Sequence, residues 1–154
     1  MEYKTIESLN QGVSDSMVDI LHEITKELNS ELHSIIEENV YQAYKGHWYE
    51  RGFRTHEFLT SFIVENFDRV SKGNITELTE EVMQDPTLMT IEDSFPYTHE
   101  DREMLGQIIE SGEGYNFHTD APPRPFWEEW IEWCMKEIPT KFRAKCSSRG
   151  LNIL

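Results

Sequence analysis

Six histidines, two cysteines and 29 acidic residues are the side chains here that could do chemistry. Their spacing argues against it. A metal needs several ligands converging on one point. His22 and His33 are too far apart along one helical segment to share an ion, His47 and His56 flank a loop, and His118-Thr119-Asp120 offers at most two ligands. No H-E-x-x-H or comparable pair accompanies them, so surface histidines are expected, with no metal and no other cofactor. Acid–base work on a glycosidic bond needs two carboxylates that converge. Glu37-Glu38, Glu80-Glu81 and Glu128-Glu129 are adjacent in sequence, and adjacent residues on a helix diverge. There is no G-x-S-x-G elbow, no Walker loop and no G-x-G-x-x-G after a strand. Gly112-x-Gly114 follows a helical pattern, the wrong context for cradling phosphate. Cys134 falls on an apolar helix face, where a structural thiol is the default. Without C-x-x-C spacing, Cys134 and Cys146 read as free, partly buried thiols. No catalytic residue can be named, and the chain is not expected to be an enzyme.

The elements around these residues read as one α+β domain over 15–154, preceded by a loosely held arm over 1–14. Asp15 or Ser16 can cap a helix, and Ser16 to Asp19 has capping-box spacing. Apolar residues at Met17, Ile20, Leu21, Ile24, Leu28, Leu32, Ile35, Ile36, Val40 and Tyr44 continue that helix to about 44, stopped near Gly46. Residues 58–67 fit a helix or a strand, Ser71-Lys72-Gly73-Asn74 is a turn, and Thr87 to Glu92 is β-prone, which suggests an antiparallel hairpin or meander. A second helix starts near Thr98 or His99, buries Met104, Leu105, Ile108 and Ile109, and ends at Gly112. A third starts at Pro125 and puts Trp127, Trp130, Ile131, Cys134 and Ile138 on one face. Pro139 is expected to open a last short helix ending at Gly150. The long N-terminal helix and the C-terminal helices should pack on the small antiparallel sheet.

The formal net charge of −15 argues against sequence-independent binding to nucleic acid, which depends on Lys and Arg. No apolar run approaches the roughly 18 residues of a membrane span, and none resembles a secretory signal. The acidity is uneven. Residues 140–154 carry Lys141, Arg143, Lys145 and Arg149 and no acid. That segment reads either as an exposed flank or as a basic surface that pairs with the acidic body of a neighbouring copy. Aromatic residues beside Arg are typical of interfaces. Tyr41, Tyr44, Trp48 and Tyr49 with Arg51 form one such group, and packing that closes the end of the long helix is the competing reading. Trp133, at the edge of the apolar stripe, is another interface candidate.

The most telling stretch runs from Gly112-Glu113-Gly114-Tyr115 to Pro123-Arg124-Pro125-Phe126, a shaped connection between two helices. With Val40-Tyr41-x-Ala43-Tyr44, Tyr49-Glu50-Arg51, Ile108-Ile109-Glu110-Ser111 and Arg149-Gly150-Leu151, it resembles the small tail-completion (head–tail joining, minor structural) proteins of long-tailed bacteriophages. The ordered set covers about residues 15 to 153. Residues 68–85 are more acidic and more helix-like than that family's pattern, and the three-tryptophan helix is heavier in aromatics. The resemblance implies a neck component of the virion, made in the bacterial cytoplasm. Copies would form a homo-oligomeric ring, touching other neck, connector and tail proteins, through which genome DNA passes without specific binding. A negative lumen would repel phosphate rather than grip it. In this reading Arg124 and Phe126 lock the corner, and Trp133 with Lys141, Arg143 and Lys145 faces a neighbour. The alternative is a small acidic phage-encoded protein that binds and inhibits a host or defence protein.

Overall fold

The computed structural model describes residues 5–43, 57–72, 75–88, 99–113 and 122–152. Helix α1 spans Ile6–Ile36 and runs without a break into a π-helical segment, Glu37–Gln42. A single turn, α2 (Glu57–Thr60), leads into strand β1 (Phe62–Lys72), which pairs antiparallel with β2 (Ile75–Gln84). A 3-10 turn, Pro86–Leu88, follows, then α3 (His99–Ser111) and α4 (Trp127–Ser148). The class is α+β, as the sequence pattern implies.

Helix α1 begins ten residues before the expected start at Ser16. Thr5 caps it: its side chain accepts from the Ser8 amide while the Ser8 hydroxyl oxygen accepts from the Thr5 amide, both at 3.1 Å. Ser stands where a capping box usually carries Glu or Gln, which hides the signal. Residues 6–14, expected as an arm, are therefore helical; residues 1–4 lie outside the described residues. At its other end α1 does not simply continue. The Ala43 amide bonds to Glu38 O at 3.1 Å, the i→i+5 pattern of a π turn. Val40 and Tyr41, adjacent in this segment, are both buried.

The apolar residues turned inward along α1 and the π segment recur mainly every fourth position: Ile20, Ile24, Leu32, Ile36 and Val40, all buried, with Leu28 half-buried. A fourth-residue row leans around a helix of 3.6 residues per turn. The stripe thus changes partner along its length. Ile20 and Ile24 pack with Cys146 near the end of α4, while Leu32, Ile35, Ile36, Val40 and Tyr41 join Phe58, Phe62, Ile109, Phe126, Trp130 and Cys134. Leu28 touches both groups. Three phenylalanines meet edge to face in the larger cluster, Phe58 with Phe62 and both with Phe126, with ring centroids 5.4–5.8 Å apart.

The ambiguous stretch 58–67 is both things in turn. Ser61 makes the switch: it is fully buried, its hydroxyl donates to Phe58 O at 2.7 Å, and its carbonyl accepts from the Asp85 amide at 2.8 Å. The hairpin register passes from Glu65 opposite Glu81 to Asp68 opposite Thr79, so two residues of β1 face one of β2. Such a bulge adds local twist. The expected strand over 87–92 does not start: Pro86–Leu88 is a 3-10 turn, with the Asp85 carboxylate accepting from the Thr87 amide (2.9 Å) and hydroxyl (2.6 Å). Residues 89–92 lie outside the described residues.

Pro139 does not open a separate helix. It sits inside α4, which is continuous to Ser148. An interior proline forfeits the bond to residue i−4 and typically costs about 3 kcal/mol. Here both Pro139 and Met135 are exposed, so water can serve the carbonyl left over. Gly150 stops the helix as expected. At φ +75° it lets the Leu151 amide reach Cys146 O (2.9 Å) and its own amide reach Ser147 O (3.0 Å), a Schellman ending.

A clamped corner and a charged seam as candidate assembly surface

The described ends of the connection between α3 and α4, residues 111–113 and 122–126, are held from three sides. Gly112 adopts φ +70°, and its amide closes α3 on Ile108 O at 2.8 Å. A side chain there would meet Pro123 N at 2.7 Å, so glycine is needed both for conformation and for room. Arg124 is buried and its amide donates to Ile109 O at 3.0 Å. Phe126 is buried against Phe58 and Phe62. The first amides of α4 have no intrahelical partner and Phe126 offers no capping side chain. Glu110, on α3, supplies it: one carboxylate oxygen accepts from the Phe126 and Trp127 amides (2.8 and 3.0 Å), the other from Glu128 (3.2 Å). A carboxylate at a helix N-terminus also opposes the positive end of the helix dipole. From the π segment, the Asn39 amide group donates to Pro125 O (2.8 Å) and to Glu129 (2.6 Å).

Antiparallel to α1, α4 runs back along it under a seam of charges. Lys141 Nζ lies 3.0 Å from Glu27; Lys145 Nζ lies 2.7 Å from Glu27 and 3.2 Å from Glu23; Arg149 bonds Glu23 and sits 3.5 Å from Asp19. Both rows step by four residues, so successive pairs share partners. Lys145, then Lys141, holds the Glu27 carboxyl below the ordinary carboxylate range, and Glu27, then Glu23, holds the Lys145 ammonium above its ordinary value. Lys141 also lies 5.5 Å from the centre of the Trp133 ring. The Trp130 indole N–H donates to Leu28 O at 2.8 Å.

These placements sort the residues singled out in the sequence. Arg124, Phe126 and Tyr41 come together around the corner, all buried; the Tyr41 hydroxyl accepts from the Leu59 amide at 3.4 Å. Their position is internal. Lys141 and Lys145 face α1 of their own chain, Trp133 is half-buried against the main core, and Arg143 is exposed. Tyr44, Trp48, Tyr49 and Arg51 lie outside the described residues. Ile131, expected on the buried face, is 41% exposed. His33 is no surface histidine: its Nε2 lies 2.9 Å from Phe62 O and ties α1 to the head of β1. Glu110 and Asn39 were missed because a cap supplied from another element leaves no local pattern.

Among the described residues no three His, Cys, Asp or Glu side chains gather as a metal would need, and no helix is long and apolar enough to cross a membrane. Cys134 and Cys146 are free and buried. Burial pushes both thiols up, helped at Cys134 by Glu31 and opposed at Cys146 by Arg149. The protonated form therefore prevails at neutral pH, which is inert rather than nucleophilic. The arrangement holds helices at fixed angles.

Residues 5–144 match the family model described as YomN. The chain belongs to the YomN family. That family is phage- and Bacillus prophage-derived, which makes this YomN-family chain phage-associated. The matched span takes in the α1 cap, the hairpin, the clamped corner and α4 past Lys141. No curated protein matches the chain. No solved structure matches it either.

Proposed function

We propose that this phage-associated chain is a structural protein of the virion neck, completing the tail or joining it to the head as one copy of a ring. The observation that carries the reading is the order of parts: long N-terminal helix, hairpin, helix, clamped corner, helix, within a phage-derived family. The tail-completion resemblance names a long helix, a β region, a helix and a Pro-rich element in that order, then a C-terminal helical pair where this chain has the single helix α4. A corner held by Gly112, Arg124, Glu110 and Asn39 supports a geometric role, because its cost in conformational freedom yields a fixed angle between helices rather than a reactive group. The charge of −15 suits a channel wall past which DNA must slide.

The test is genetic and physical. Virions from the phage or prophage that encodes the chain are purified, and their proteins are identified by mass spectrometry. Deletion of the gene is expected to leave filled heads and separate tails under the electron microscope. Joined, infectious particles that lack the protein would overturn the proposal and favour the inhibitor reading.

A further inference from the structure

We propose that α4 beyond Pro139 is an ion-held strap, which lifts from α1 as one unit when salt screens its charges while the main core stays closed. This concerns the chain by itself and holds whether or not the neck reading stands.

Three observations divide α4 at the same place. The first is covalent. Pro139 has no amide hydrogen, so no hydrogen bond ties residue 139 back to Met135 in the middle of the helix. The second is packing. Before the proline, Trp130, Cys134 and the half-buried Ile138 belong to the main cluster; after it, Phe142, Cys146 and Leu151 belong to the smaller one. Among the described residues the smaller cluster buries three, Ile20, Ile24 and Cys146, against eleven in the main one, so little apolar surface holds this end down. The third is charge. Residues 140–152 carry four cations and no acid, while residues 15–27 of α1 carry Asp15, Asp19, Glu23 and Glu27 against Lys26. Among the described residues the α1–α4 ion pairs all lie after the proline: Lys141 and Lys145 on Glu27, Lys145 and Arg149 on Glu23, Arg149 on Asp19. Lys141 reaches back across the proline to Trp133, 5.5 Å from its ring centre, again through its charge.

Exposure decides what controls this end. Glu27 is 40% exposed in its side chain, Glu23 47% and Asp19 70%, so dissolved ions reach every pair of the seam. Pairs of this kind weaken as the screening length shrinks. The rest of the molecule responds the other way. A chain of net charge −15 repels itself, and salt relieves that repulsion. Rising salt therefore loosens the strap and steadies the main core. Folded chains open locally in contiguous units, and those with the least buried apolar surface open first. When the strap lifts, Lys141, Lys145 and Arg149 leave their internal acids, and the chain presents an acid-free cationic helix that the closed form keeps occupied.

The fold supplies its own two probes, Cys146 in the strap and Cys134 in the main core, both buried and free. The native full-length chain is labelled with N-ethylmaleimide, an uncharged reagent, from about 0.01 M to about 1 M sodium chloride, over which the screening length falls from roughly 30 Å to roughly 3 Å. Peptide mass spectrometry reads each cysteine separately, and each rate is divided by that of the same thiol in the urea-unfolded chain. Both label far more slowly than an exposed thiol, because each waits for local unfolding. At about 0.1 M salt Cys146 is expected to label about tenfold faster than Cys134, and to gain about tenfold more towards 1 M with no gain at Cys134. Lys145→Met should bring the high-salt rate of Cys146 to low salt and flatten its salt response. Pro139→Ala restores a donor to the Met135 carbonyl and should pull the Cys146 rate towards that of Cys134. Equal rates at the two cysteines at every salt would mean that the chain opens only as a whole, and would overturn the inference. So would a Cys146 rate indifferent to salt, or a Pro139→Ala chain that keeps the wild-type ratio of rates.

Discussion

Two glycines with nearly the same backbone angle allow the corner to be weighed against an internal control. Gly112 sits at φ +70° and Gly150 at φ +75°. An alanine in the left-handed region costs about 1 kcal/mol for its Cβ alone. At Gly150 nothing lies within 4 Å of that Cβ, so Gly150→Ala should cost little more. At Gly112 the Cβ would sit 2.7 Å from Pro123 N, 3.0 Å from Pro123 Cδ and 3.1 Å from Pro122 C. None of these atoms belongs to a side chain that can swing away. Relief requires the corner to open, which sacrifices the Arg124 amide bond to Ile109 O, worth about 1 kcal/mol net. It also exposes part of Phe126, whose full burial is worth about 2–3 kcal/mol. The expected loss for Gly112→Ala is about 3–4 kcal/mol. Urea unfolding followed by tryptophan fluorescence reads the difference. With a slope of about 2 kcal/mol per molar, the midpoint should fall by about 0.5 M for Gly150→Ala and about 1.5–2 M for Gly112→Ala. Equal shifts would refute the claim that Pro122 and Pro123 are packed on the end of α3.

Three other outcomes follow from the same geometry. Replacing Glu110 by Ala should cost about 1–2 kcal/mol in urea unfolding, since three α4 amides lose their acceptor; Glu110→Gln, which keeps an acceptor oxygen, should cost clearly less. Glu27 has its folded pKa depressed, so its contribution is complete above the ordinary glutamate value and fades as pH falls through the folded one, while that of Lys145, with a raised pKa, is complete below the ordinary lysine value and fades as pH climbs through its folded one. Thermal melts across pH should therefore drop at both ends, and Glu27→Gln should flatten the acid limb. Cys146 is fully buried, so Ellman's reagent should modify it only at the rate of unfolding, and fast labelling of the native chain would contradict its place under Ile20 and Ile24.

Much of the fold was legible because periodicity and punctuation are local. The stripe from Ile20 to Val40, the stop at Gly112 and the stop at Gly150 can each be read within a few residues of sequence. What failed to show depends on tertiary partners. Pro139 reads as a helix breaker until the exposure of Met135 removes the need for a bond to it. Ser8 does the work usually given to Glu in a capping box, so α1 starts earlier than its pattern suggests. The corner was legible in its glycine and prolines but not in its clamp, because Glu110 and Asn39 reach α4 from other elements. The basic segment was visible as composition, while its partners Asp19, Glu23 and Glu27 were not, although both rows carry the same four-residue spacing.

That last point changes what the basic segment can do for assembly. Read from composition, Lys141, Arg143 and Lys145 are one surface, and reversing all three charges looks like a test of contact between copies. In the structure Lys141 and Lys145 hold α4 to α1, and their reversal would place acids against Glu23 and Glu27. Such a variant would loosen the chain itself, and loss of assembly would say nothing about a neighbour. Arg143 alone points away from the seam, at the end of the exposed row that begins with Ile131. Arg143→Glu leaves the α1–α4 pairs intact and adds an acid to a face of α4 that already exposes Glu128, Glu129 and Glu132. If copies meet at that row, this single change should weaken assembly and make it more sensitive to low salt, where like charges are least screened.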